Sequence, residues 1–515
     1  MLKQLMRWSG VVALAVTMTA CADLLEVQNT NNPETARVLV TPADVEKLIA
    51  DSYNAWFSAV QDYNAIGIQM EAMAFEISPM AANFGMIERS ALPRTAPNNQ
   101  TSDAFSGQYY ANYSSFYRAI SSASDGLGRL DAGVSLGAND ARARAFAKFV
   151  QGIGHGSLAM VSDSMFVVDE TSDLATIQLV GYQDGLTAAL TKLDEAIAIA
   201  QANPFTLPST WINGNEFTSA EFIQMARSYK AQFRANAPRT STETVDWDLV
   251  IADATAGITT NLNVTSDFNT WFFGPALFHS FYGAWNQINY FFIGMADVSG
   301  AYQTWAAIQP VTTRVPFVVV TPDQRWPQGA TALEQGDAPG SFIRYKGTSG
   351  HVLADRGTWR WSFYQNNRYQ AFYNGDYLGP FALMQKAEMD FLIAEGHIEG
   401  GNPALALPIL NGYRAAAGLP AATVTGVTGA ACVPRLPNNS CGDLKEVLKY
   451  EKRMETMYIA YGGWFFDARR WDDLPVGTQL DYPIPARELE AIGKSLYTRG
   501  GPGAAGGAVL GTYGF

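Results

Sequence analysis

The helical hairpin written into residues 383–417 constrains this chain more than any other feature. From Leu383 to Ile398, the residues Met384, Ala387, Phe391, Ala394 and Ile398 recur at spacings of three and four. That lays one apolar stripe along a helix. Glu399-Gly400-Gly401-Asn402-Pro403 then breaks it, with Asn402 placed as an N-cap and Pro403 at the first position of a second helix. Ala406, Leu410, Tyr413 and Ala417 carry the second stripe until Gly418 and Pro420 stop it. So short a turn makes the two helices antiparallel, and their small contact residues give the unit the look of a tetratricopeptide pair. Pro408 conflicts with a regular second helix, where an interior proline costs about 3 kcal/mol. That helix is therefore expected to kink, or to begin later than Pro403.

Helical patterning dominates elsewhere too. Thr218-x-x-Glu221 is a capping box ahead of Phe222, Ala226, Tyr229 and Phe233. Ala141–Met160 and Tyr182–Ala200 read as long Ala-rich helices, and Leu444–Tyr461 as a helix presenting Val447, Leu448, Met454, Met457, Tyr458 and Tyr461. Residues 261–381 differ, being rich in Gly, Pro, Asn and aromatics, with Val315–Val320 as the best strand candidate. An irregular stretch of that length inside a helical body is more often functional than not. The tail from Gly500 reads as a loop. The expected fold is mainly α: helix pairs with long irregular loops and a few short strands.

At the N-terminus, Lys3 and Arg7 precede the short apolar run Val11–Met18, and Met18-Thr19-Ala20-Cys21 follows. This is the pattern of a secretory signal over residues 1–20, of the bacterial lipoprotein type, with Cys21 as the lipidated first residue of the mature chain. The run is far below the ~20 residues that span a bilayer. Residues 21–36 hold Asp23, Glu26, Asn29, Asn31, Asn32 and Pro33 and read as a tether, leaving 37–515 as the body. A net charge of −13 leaves no basic stripe to displace phosphate counterions, which argues against a nucleic-acid partner. Cys432 and Cys441 flank the loop VPRLPNNS, and in an exported chain such a pair reads as a disulfide.

Several blocks together resemble the SusD/RagB family. They are Ala387-Glu388-Met389-Asp390-Phe391-Leu392-Ile393-Ala394-Glu395, Gly401-Asn402-Pro403-Ala404-Leu405-Ala406, and Tyr413-Arg414-Ala415-Ala416-Ala417-Gly418-Leu419-Pro420. Tyr450-Glu451-Lys452-Arg453-Met454-Glu455, Trp464-Phe465-Phe466-Asp467-Ala468-Arg469-Arg470-Trp471 and Tyr482-Pro483-Ile484-Pro485 follow in the family's order. The resemblance implies a lipid-anchored protein of the outer membrane, facing the cell exterior and built from tetratricopeptide-like helix pairs. It would bind glycan or a related nutrient and deliver it to a TonB-dependent, SusC-like transporter. The resemblance does not imply an enzyme or a cofactor. Pro408 and the Cys432–Cys441 loop depart from the family's usual pattern and leave the ligand class open.

Two stretches carry the residue types that recognise sugars, rings for stacking beside Asn and Arg for hydroxyls. One is the loop with Asn83, Phe84 and Arg89, and the other holds Trp271, Phe272, Tyr282, Trp285, Asn286 and Tyr290. The resemblance implies pockets built jointly from early and mid-chain loops. The carboxylates Glu451, Glu455, Asp467, Asp472 and Asp473 invite a glycosidase reading, in which two flanking carboxylates suffice. Lys452, Arg453, Arg469 and Arg470 among them favour structural ion pairs. His155, His279, His351 and His397 share no metal-ligand spacing. Gly152-Ile153-Gly154-His155-Gly156 lies within a helical pattern and reads as close helix packing. A surface glycoside hydrolase and a helical scaffold that binds no small ligand remain as alternatives to the capture protein.

Overall fold

The computed structural model describes residues 41–62, 66–80, 84–103, 106–276, 286–347, 361–458, 461–502 and 504. Cys21, the signal segment and the tether lie outside these residues. The architecture is mainly α, with paired helices, long connections and short two-stranded ribbons, in agreement with the expected fold class. The principal helices are α1 (Pro42–Gln61), α2 (Ser106–Asp131), α3 (Asp140–Val161), α4 (Tyr182–Ala202), α5 (Ser219–Asn236) and α6 (Trp247–Thr255). Towards the C-terminus come α7 (Lys386–Glu399), α8 (Pro403–Ala416), α9 (Leu444–Thr456) and α10 (Gly463–Arg470).

Helix α3 is the centre of the N-terminal body, and its glycines explain why. A Cβ on Gly152 would lie 2.7 Å from Leu193 of α4, and one on Gly154 would lie 2.6 Å from Ile120 of α2. A Cβ on Gly156 would overlap the Phe233 ring of α5. Three alternate glycines thus admit three neighbouring helices at close range. His155 between them is buried, with Nδ1 bonded to the Gln151 carbonyl at 2.7 Å and Nε2 accepting from Val168 N–H at 3.1 Å. Burial lowers its pKa to about 4, so the ring stays neutral.

The ribbons pair antiparallel. They are β1 (Ile77–Pro79) with β5 (Asn286–Ile288), β2 (Ser164–Phe166) with β3 (Leu179–Gly181), β4 (Leu262–Ser266) with β8 (Gly379–Met384), and β6 (Ile343–Tyr345) with β7 (Tyr364–Asn366). Among the described residues, the stretch 261–381 thus holds β4 to β7, the start of β8 and much irregular chain. Val315–Val320 is not one of the strands. Its amides are taken by side chains: Phe317 N–H by Tyr290 Oη at 2.9 Å, Val319 N–H by Tyr364 Oη at 2.8 Å, and Val320 N–H by Asp297 Oδ1 at 2.9 Å.

The C-terminal hairpin forms with two boundary corrections. Leu383 and Met384 end β8 instead of opening α7, which starts after Gln385 in a capping box with Glu388. Helix α8 begins at Pro403 and continues through Pro408; Asn402 holds the N-cap position, but its side chain donates to the Gly400 carbonyl at 3.1 Å instead of capping the helix. Pro408 withholds only the bond to the Ala404 carbonyl, and Ala404 is an exposed residue whose carbonyl is open to solvent. Phe391 and Tyr413 stack across the pair at 4.8 Å. Helix α9 stops at Thr456, short of Tyr461, because Tyr458 turns to φ +63°.

Candidate functional site

Register brings the stems of the two candidate stretches together. Pro79 pairs with Asn286, so the end of β1 and the start of β5 meet at one end of the ribbon. Next in the same ribbon, Gln287 donates to the Gly347 carbonyl at 3.1 Å, which brings in the strand end of β6. Three loop stems therefore share one edge. Asn83, Tyr282 and Trp285 lie outside the described residues.

The described candidates are buried or half-buried. Tyr290 is fully buried, donates its hydroxyl to the Phe317 carbonyl and stacks on Phe317 at 4.2 Å. Burial raises its pKa. Asn286 is buried within the ribbon, and Trp271 packs on Phe57 at 5.0 Å and Tyr53 at 6.1 Å in the helical core. Phe84, at φ +55°, is half-buried against the second hydrophobic cluster. Arg89 reaches inward to Gln69 at 3.4 Å, and burial lowers its pKa.

Among the described residues the well-exposed aromatic ring is Phe268, at the tip of the β4–β8 ribbon just beyond the Ser266–Gly379 pair, beside half-buried Phe272 and Tyr373 and buried Tyr377. Phe268 is 49% exposed and lies edge-on to Phe272 at 4.9 Å and stacked on Tyr377 at 5.9 Å. Tyr373 packs edge-on to Tyr377 at 5.4 Å. Phe268, Asp376 and Tyr377 all hold positive φ, at +59°, +56° and +60°. Each such conformation costs on the order of 1–3 kcal/mol and must be held by its surroundings. Sequence reading missed Phe268, Tyr373 and Tyr377. The signal for them was the Asn374-Gly375-Asp376 turn facing the Asp267-Phe268-Asn269 turn across a ribbon.

The carboxylates are committed to ion pairs. Glu451 accepts from Arg325 and Arg414, both at 2.8 Å. Glu455 pairs with Arg325 at 3.0 Å and Arg368 at 3.5 Å, and Asp473 with Arg453 at 3.1 Å and Lys449 at 3.2 Å. Asp467 binds Lys452 at 2.7 Å and Arg470 at 3.1 Å, and Asp472 accepts from Ser241 N–H at 3.2 Å. Glu451, Glu455, Asp467 and Asp473 are buried. Among the described residues no group of three or more His, Cys, Asp or Glu is placed to hold a metal ion. Cys432 and Cys441 are bonded, with Cα atoms 5.8 Å apart.

No family model and no curated protein sequence matches the chain. Solved structures do. A SusD superfamily protein from Bacteroides thetaiotaomicron aligns over 84% of this chain and 89% of its own, with TM-score 0.53 and 9% identity. A SusD-like carbohydrate binding protein from Bacteroides fragilis aligns over 83% and 86%, with TM-score 0.52 and 14% identity. A second SusD-like protein from Bacteroides fragilis gives the same coverage and identity with TM-score 0.51. The chain has the SusD-like fold.

Proposed function

We propose that this chain captures glycan at the cell surface and passes it, uncleaved, to a TonB-dependent transporter. The observation that carries the reading is the fold, shared with a Bacteroides fragilis protein described as a SusD-like carbohydrate binding protein. The arrangement of loops is consistent with it. Three stems converge on one edge, and Phe268 and Phe272 present rings at the β4–β8 tip. Stacking on such rings suits the apolar faces of sugars. The commitment of the buried carboxylates to ion pairs speaks against the hydrolase alternative.

Lipidation at Cys21 would hold the chain in the outer membrane; no helix among the described residues is long and apolar enough to cross a membrane. A tethered capture protein needs only modest affinity, because coupling to the transporter raises the local ligand concentration. Gentle detergent extraction of the anchored chain should bring a large outer-membrane barrel with it. Recovery of the chain alone, under conditions that preserve other membrane complexes, would remove the delivery half of the reading.

A further inference from the structure

A partly open cavity of about 80 Å³ lies among α1, α5, α7, α9 and α10, apart from the loop edge and the ribbon tip described above. That is several times the roughly 10–15 Å³ a single water needs, room for a molecule of a few heavy atoms. Trp56, Tyr229, Phe233, Leu392 and Phe466 form apolar walls. Glu388, Lys452 and Asp467 form the polar end.

The charges at that end do not balance. Glu395, Asp467, Lys452 and Arg470 close on one another as a neutral quartet. Arg470 lies 2.5 Å from Glu395 and 3.1 Å from Asp467, and Lys452 lies 2.7 Å from Asp467 and 3.5 Å from Glu395. Glu388 stands outside it. It accepts from Gln385 N–H at 2.7 Å and from Gln232 Nε2 at 2.5 Å, and among the described residues it has no ion-pair partner. A buried carboxylate held only by neutral donors is costly.

We propose that this cavity binds a small organic amine, an apolar body carrying one ammonium group, with Glu388 as the partner of the ammonium. The rings of Trp56 and Tyr229, edge-to-face at 5.6 Å, offer the π surface that favours a desolvated cation. Burial lifts the Glu388 carboxyl to about 7, against smaller opposing pulls from Gln385 N–H, Lys452 and Gln232, while Asp467 pushes the same way as burial. Tyr229 faces it from α5 and is itself held neutral by burial. Occupancy is therefore linked to pH. The carboxylate is present above neutrality, and protonation below it removes the amine's partner.

The test is calorimetric titration of the full chain in detergent with butylamine and with its neutral counterpart, butan-1-ol. The amine should bind about tenfold or more tightly than the alcohol above neutrality. That advantage should vanish on acidification through about pH 7 in the wild type, and in Glu388→Gln at any pH. Equal binding of amine and alcohol, no heat from the amine, or an amine affinity unchanged in a folded Glu388→Gln variant would each overturn the proposal. The wild-type pH profile decides the matter even where the variant folds poorly. Oligosaccharide binding is read in a separate titration, so either proposal can fail alone.

Discussion

Glu395→Ala is expected to cost this protein about 3–5 kcal/mol, the usual penalty for leaving buried cations without their carboxylate. Glu395 is fully buried and accepts both Arg470 guanidinium nitrogens, at 2.5 and 2.9 Å, and the Trp471 indole N–H at 2.6 Å, with Lys452 at 3.5 Å. Its removal takes both of the close bonds from Arg470, leaving it Asp467 at 3.1 Å, and takes the acceptor from the indole. Burial alone would raise the Glu395 carboxyl, but Arg470 and then Lys452 outweigh it and bring the pKa down to about 2. Because the folded value lies below the ordinary 4.5, this contribution is complete above about pH 4.5 and is lost as pH falls through about 2. Denaturant unfolding at neutral pH should show the full loss, and the gap between variant and wild type should narrow in acid. A loss under about 1 kcal/mol at neutral pH would mean the quartet is not buried as described.

Glu451→Ala is expected to be comparably damaging, about 3–5 kcal/mol, and for a reason that also bears on catalysis. The carboxylate is the only bridge among the described residues between Arg325 and Arg414. Arg325 would keep Asp323 and Glu455, whereas Arg414, 1% exposed, would keep only the Pro420 carbonyl at 2.8 Å. Burial pushes the Glu451 carboxyl up, and Arg325 and Arg414 pull it back. The variant should therefore melt far below the wild type. A Glu451→Ala protein of wild-type stability that had lost a hydrolytic activity would reverse the assignment and make this residue catalytic.

The parts legible from sequence are those where local chemistry and tertiary packing agree. The hairpin of α7 and α8, its Asn402-Pro403 start and the Thr218–Glu221 capping box all follow from stripe spacing and caps. Leu383 and Met384 fit a helical stripe and a buried strand equally well, and the partner strand 120 residues away decided for β8. Pro408 is tolerated because the bond it forfeits lies at an exposed turn. The carboxylates near the C-terminus read as paired from their neighbours, but Arg325, Arg368 and Arg414 come from distant chain and carry no local signal. The same holds for the ligand surface. Aromatic residue types mark Trp271 and Tyr290 as readily as Phe268, and only burial separates core rings from exposed ones.

The account rests on capture without cleavage, and one measurement addresses both halves. The protein is titrated with a panel of oligosaccharides while binding heat and newly formed reducing ends are followed in the same samples. The account predicts saturable heat for at least one sugar class and no new reducing ends. Release of reducing ends, or no heat across the whole panel, would contradict it.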